Sequence, residues 1–356
     1  MLLALSSLAT GFALASATSA SKLAWWRFAG ACGRAAGSDD APMKTILLGK
    51  STLVSSRLAY GCWRIAGTWE PAHVTAERAE HGQAAIVAAY EAGYTLFDHA
   101  DIYCDGVVEK LFGQVLREVS GMRERILIAS KCGIRKAGEP EAQAPYRYDF
   151  SAAHIVESCE QSLRRLGVET IDLYQLHRPD YLADPAEVAA AFSQLKASGK
   201  VRELGVSNFR PSQLIMLQRA CPMPLVVNQV EISLSRLEPF HDGTLDQCLA
   251  EGITPLAWSP LAGGKLASNL VADMTDPLHA RKLKLQDAVE GLARELGVSR
   301  AAIALAWLLK HPSGIVPIVG ATDPEHIREA TRAADLSLSR AQWYRLLEAA
   351  YGQRLP

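Results

Sequence analysis

Four side chains of the kinds that move protons stand at or just behind the ends of short apolar runs: Asp98, Tyr103, Lys131 and His177. A phenol carries a transferable proton, but its ordinary pKa near 10 makes it a weak acid at neutral pH. An ammonium beside it favours the phenolate and lowers that value, each unit being worth about 1.4 kcal/mol. Lys131 is the candidate ammonium. Asp98 would keep it charged and aimed through a paired hydrogen bond. His177 would hydrogen-bond a substrate oxygen, orient it and help relay a proton. The set describes general acid chemistry at an oxygen atom.

Singly, each residue has a plainer reading. Tyr103 alone is a rim tyrosine, Asp98 and Lys131 a structural ion pair, and His177 a satisfied core histidine. Jointly they resist that reading, because Asp and Lys are seldom fully buried unless paired. His99 sits beside Asp98, but strand alternation turns it to the opposite face, where a structural hydrogen bond is expected. No spaced ligand cluster accompanies these residues, so no metal site is expected.

The positioning elements follow from the apolar pattern. From Lys44 onward, runs rich in Val, Ile and Leu fall at 58–62, 95–100, 126–131, 171–177, 203–207, 225–231, 254–259 and 315–320. Continuous apolar runs alternating with helical segments signal a parallel sheet buried on both faces. A helix is expected over 151–166, with Ser151 as its N-cap and Gly167 after its last turn, and another over 185–198. Pro211 opens a further one. The fold class is therefore α/β, a (β/α)8 TIM barrel, with a doubly wound open sheet as the alternative. A short N-terminal β-hairpin, 45–48 against 53–56, turns at Gly49-Lys50-Ser51. In such a barrel the chemistry sits at the C-terminal strand ends, where all four residues lie.

Bulk properties narrow the partners. The 356 residues carry a formal net charge of −1 and no polybasic run, which argues against nucleic acid and a membrane surface. The seven scattered cysteines contain no C-x-x-C pair, which fits a reduced, cytoplasmic protein. A monomer or weak oligomer is expected. Residues 1–42 read as a disordered leader or an over-extended gene start with Met43 as the initiator. Ala15 and Ala17 mimic an export cleavage site, but no basic segment precedes Leu2. Residues 43–356 read as a single domain.

The four residues in this order, with Asp98-His99-Ala100-Asp101-Ile102-Tyr103, a Leu-His-Arg-Pro-Asp run ending at Asp180, Gly205-Val206-Ser207-Asn208-Phe209, Asn228-Gln229-Val230-Glu231 and Trp258-Ser259-Pro260-Leu261-Ala262-Gly263-Gly264, resemble the aldo-keto reductase superfamily. The nearest likeness is to its bacterial YdhF-type branch. The resemblance implies reduction of a small carbonyl substrate, with Tyr103 giving the proton to oxygen. Hydride has to come from a cofactor, because no side chain supplies it. It further implies NADPH, or NADH in its place, lying across the barrel mouth; no G-x-G-x-x-G follows a strand to suggest another mode.

By that carry-over Ser207, Asn208 and Gln229 hold the nicotinamide carboxamide, and Trp258 stacks on the ring. Ser259, Leu261 and Gly263 pass the pyrophosphate. Gly320, Ala321 and Thr322, opening the next helix, meet the adenosine phosphate through backbone N–H groups. Substrate contacts are expected from Trp63, Arg64 and Trp69, and from 133–149. Three departures stand out: Ala321 where relatives carry Ser, His326 where they carry Arg, and Cys104 where they carry Gly. The chain also ends soon after a helix at 342–351, which implies an open site. Two other functions fit less well: a cofactor-binding regulatory or redox-sensing subunit with slow turnover, and a metal- or carboxylate-dependent hydrolase on the same barrel.

Overall fold

The structure, a computed structural model, describes residues 42–269 and 278–355. The leader expected at 1–42 lies, except for Pro42, outside the described residues. After the antiparallel pair β1 (Thr45–Leu47) and β2 (Val54–Ser56) come β3 (Ala59–Gly61), β4 (Leu96–Asp98), β5 (Leu127–Cys132), β6 (Ile134–Arg135) and β7 (Arg147–Tyr148). Then follow β8 (Ile171–Leu176), β9 (Val201–Ser207), β10 (Leu225–Glu231), β11 (Thr254–Trp258) and β12 (Val316–Val319). Strands β3, β4, β5, β8, β9, β10, β11 and β12 close in that order into a parallel barrel. Each expected apolar run holds one barrel strand. The physical reason is burial: β5 and β8 are buried along their whole length, so apolar residues dominate and the charged ones, Lys131 and Asp172, are ion-paired.

The small β6–β7 hairpin inside 133–149 was expected only as loop. Its two-residue strands are too short to show a period. The N-terminal hairpin forms as expected and plugs the N-terminal end of the barrel. Leu48 and Leu53 are fully buried among Val226, Leu256 and Val316 in the barrel interior. Gly49, at φ +53°, lies so close that a Cβ would fall 2.3 Å from the Val226 carbonyl oxygen. Its N–H donates to Thr254 Oγ1 at 2.7 Å, fixing the plug to β11.

Helices pack outside the strands. Ala152–Leu166 starts where Ser151 Oγ accepts the His154 N–H and stops at Gly167 in the left-handed region. Pro185–Ala197 and Pro211–Ala220 open on their prolines. Trp307, fully buried, stacks on Trp343 at 5.0 Å, and each indole N–H donates to the other's backbone carbonyl. That exchange ties the closing helix Arg340–Tyr351 to Arg300–Leu309. Among the described residues the six cysteines are free and buried, and no helix is long and apolar enough to cross a membrane.

Candidate active site

The C-terminal ends of the barrel strands surround a mouth of about 550 Å³. Asp98 closes β4 and Lys131 lies near the end of β5, in neighbouring strands whose register sets Asp98 opposite Ala129. Beyond the strand the chain keeps following β5: the His99 N–H donates to the Ala129 carbonyl and the Asp101 N–H to the Lys131 carbonyl. This track brings Tyr103 back over Lys131. Immediately after it, Cys104 (φ 46°) and Asp105 (φ 52°) are both left-handed, so the turn behind Tyr103 stores strain. Cys104 thus carries a backbone angle that favours the glycine it replaces.

Lys131 is fully buried. Its Nζ lies 2.8 Å from both Asp98 oxygens, 2.7 Å from the His99 carbonyl and 3.3 Å from Tyr103 Oη, donating to each partner. Gln229 Nε2 donates to Asp98 Oδ1 at 2.8 Å. Burial pulls the Lys131 ammonium down, but Asp98 and Tyr103 together carry it above its ordinary value. On the outer side, buried Glu109 accepts from the Ser130 hydroxyl at 2.6 Å and from Arg165 Nε at 2.7 Å, bracing the strand that carries Lys131.

Two expectations need correction here. Lys131 was expected to lower the Tyr103 phenol; burial outweighs its pull, and the phenol lies above its ordinary value. Tyr103 therefore keeps its proton at neutral pH. His99 was expected to hydrogen-bond through its ring. Its ring nitrogens have no partner among the described residues, and the ring packs 4.4 Å from that of Phe112. Burial, then Lys131, pushes it down to about 3, so it is a neutral packing element whose carbonyl does the useful work.

His177 follows β8, its N–H donating to the Cys132 carbonyl at 2.8 Å. Its ring meets that of Tyr103 edge-on at 5.9 Å, and Nδ1 has no partner among the described residues. Burial, then Lys131 and Arg178, push its pKa well below the usual histidine value. A neutral imidazole at the mouth gives one N–H donor and no competing charge. We therefore expect any turnover that depends on these two side chains to be independent of pH from about 6 to 9, since neither His177 nor Tyr103 changes charge there. A pH–rate profile checks this; a break near 6.5 would mean that His177 protonates.

The remaining expected residues divide. Ser207, Asn208, Gln229, Trp258, Ser259 and Gly320 line the mouth with Trp63 and Trp69. Asn208, at φ 63°, knits its neighbours together. Its Nδ2 donates to Ser207 Oγ at 2.8 Å and to the His177 carbonyl at 3.1 Å, and its Oδ1 accepts from Trp258 Nε1 at 3.0 Å. Gly320 faces Trp63, whose Nε1 would lie 3.2 Å from a Cβ there. Leu261 packs on the core and Gly263 is exposed in a turn, both outside the mouth lining. Ala321 accepts the Tyr60 hydroxyl at its carbonyl.

Arg64 lies over the Trp63 ring at 4.4 Å but faces a neighbouring cleft that it shares with Thr322, not the mouth. The helix expected to open at 320–322 instead begins at Pro324. Asp323 is its N-cap, its Oδ1 already taking the Glu325 and His326 N–H groups at 2.8 and 3.1 Å. Among the polar mouth residues, Glu70, Lys136, Tyr146 and Arg178 were not singled out from the sequence. Arg178 was visible only as the neighbour of His177, and Lys136 and Tyr146 only as members of the 133–149 stretch.

Comparison with known proteins agrees with this geometry. The Aldo/keto reductase family profile matches residues 57–350. A 6-dehydroglucose reductase of Novosphingobium aromaticivorans is 41% identical over 315 residues, covering 87% of this chain and 96% of the relative. Oxidoreductase YdhF of Escherichia coli is 39% identical over 302 residues, covering 85% and 95%. An aldo/keto reductase from Klebsiella pneumoniae, solved in complex with NADP and acetate, superposes with a TM-score of 0.69 at 26% identity, covering 88% of this chain and 97% of that one. A closed parallel barrel, a buried lysine joined to a carboxylate and a phenol at its mouth, and a match over most of the length lead to one statement: the chain belongs to the aldo/keto reductase family.

Proposed function

We propose that this protein reduces small aldehydes or ketones to alcohols, with hydride from NADPH, or NADH in its place, and a proton from Tyr103. The observation that carries the reading is the Lys131 ammonium, which donates at once to Asp98 and to the Tyr103 oxygen under a neutral His177. The mouth also suits a nicotinamide: a half-buried Trp258 face, a hydroxyl at Ser207, and amides at Asn208 and Gln229. The Klebsiella relative's complex with NADP supports the choice of cofactor. Buried reduced cysteines support a cytoplasmic setting.

When bound, the nicotinamide supplies the hydride. The chain's own residues do the rest. His177 donates to the carbonyl oxygen and orients it beside the phenol. Tyr103 releases its proton to that oxygen as charge develops there. Lys131 stabilises the phenolate left behind, and Asp98 with Gln229 holds the ammonium in place. Asn208 keeps Trp258, Ser207 and the His177 backbone in one frame.

Asn208→Gly removes this tie while tolerating the left-handed backbone. We expect it to weaken cofactor binding about tenfold, read by quenching of tryptophan fluorescence with NADPH and with NADH. Unchanged affinity for both would remove Asn208 from the cofactor site.

A further inference from the structure

Outside the mouth, one buried carboxylate joins the two segments that meet as Lys131 and Tyr103. Glu109 lies in the first turn of the helix Val107–Glu118 and is fully buried. Its Oε1 accepts from the hydroxyl of Ser130, the residue before Lys131, at 2.6 Å. Strand alternation turns Ser130 away from the face that carries Lys131. The other carboxylate oxygen, Oε2, accepts from Arg165 Nε at 2.7 Å. Arg165 in turn lies against Gly106, where a Cβ would fall 2.4 Å from its Cδ and 2.5 Å from its Nε. Gly106 (φ 79°) completes a run of left-handed residues that begins at Cys104, directly after Tyr103. Such a run persists only where its surroundings hold it. The contact at stake is the Lys131 ammonium with Tyr103 Oη, at 3.3 Å the longest of that ammonium's hydrogen bonds.

We infer that Glu109, with Ser130 and Arg165 as its two arms, is a positioning residue that sets the separation between the Tyr103 phenol and the Lys131 ammonium. The inference rests on the reductase reading above. Glu109 does not line the mouth. It acts through the strand on one side and the turn on the other. Each of its oxygens holds one segment, so loss of either arm frees that segment to shift against its neighbour. A shift matters because a misplacement of about 1 Å can cost about 10²-fold in rate. A comparable ion pair stands at the other end of the barrel, where Arg123, ahead of β5, meets the buried Asp172 of β8 at 3.0 Å. It braces the same two neighbouring strands without reaching the Tyr103 turn.

The test compares Ser130→Ala and Arg165→Gln, singly and together, with wild type in the reduction of D-glyceraldehyde and butanal by whichever reduced cofactor the protein binds. Each single variant should lose about 10- to 100-fold in kcat, with KM and cofactor affinity near wild type. The double variant should be no slower than the worse single one, because both arms serve one carboxylate. In a Tyr103→Phe background neither change should slow the residual single-turnover rate further. Arg123→Gln should lower the thermal midpoint and leave kcat unchanged. Ser130→Ala keeps the Glu109–Arg165 pair and carries the test alone should Arg165→Gln fail to fold. Wild-type rates in both single variants, losses that multiply in the double, losses that persist on top of Tyr103→Phe, or an equal loss in Arg123→Gln would each overturn the assignment and leave the reductase reading standing. A wild type that reduces neither aldehyde would overturn both.

Discussion

Tyr103→Phe should lower the rate of carbonyl reduction by about 10²- to 10⁴-fold, the usual worth of a positioned general acid, while leaving cofactor affinity near wild type. The substitution removes one oxygen and nothing else. The ring keeps its edge contacts with His177 at 5.9 Å and Trp69 at 6.2 Å, so the wall of the mouth stays in place. Lys131 keeps Asp98 and the His99 carbonyl as partners, so the buried charge stays satisfied. Stability should therefore change little, and the loss should fall on kcat. A variant that loses cofactor binding in the same proportion as rate would point to a structural role for the phenol. Single-turnover rates beside fluorescence titrations separate the two.

Lys131→Met should cost both activity and stability. The ammonium is fully buried and Asp98 is nearly so. Without it the Asp98 carboxylate would keep only the Gln229 amide as a side-chain donor. Breaking a buried pair by removing one partner costs about 3–5 kcal/mol, because the charge left behind is uncompensated. The double change Lys131→Met with Asp98→Asn should recover much of that loss in denaturant unfolding, yet remain as inactive as the single variant. Recovery of stability without recovery of rate is the signature of a charge held for catalysis. If Lys131→Met alone unfolds at the wild-type midpoint, the pair is not the buried anchor described here.

The two variants also mark how far the sequence could be read. Barrel strands were legible because both their faces are buried, so runs such as 225–231 are dominated by apolar residues. The plug hairpin was legible from Gly49, although nothing local announced that a carbonyl of Val226 would press on it. Asp98, Tyr103, Lys131 and His177 could be named because polar residues at the ends of buried strands are rare. Their balance of forces could not. Whether Lys131 or burial dominates at Tyr103 depends on how much solvent the fold removes, and that is a tertiary quantity. His99 failed as a hydrogen-bonding residue for a similar reason, since the neighbour it packs on, Phe112, comes from a different element.

Charge partners were the least legible feature. Arg64 and Arg178 look alike in sequence, each following an aromatic or imidazole side chain at a strand end. The fold turns Arg64 into a neighbouring cleft and Arg178 over Trp258 at the mouth. Likewise nothing in the sequence tells that Asp105 neutralises Lys136 while Glu70 is left with no ion pair among the described residues.

The most direct test of the central claim is the fate of the hydride. Purified protein would be mixed with reduced nicotinamide cofactor deuterated at C4 and with D-glyceraldehyde, and the product analysed by mass spectrometry. The account predicts an alcohol carrying one deuterium on the former carbonyl carbon, formed by wild type and nearly absent with Tyr103→Phe. Cofactor that binds tightly while every carbonyl offered stays unlabelled and unreduced would contradict it.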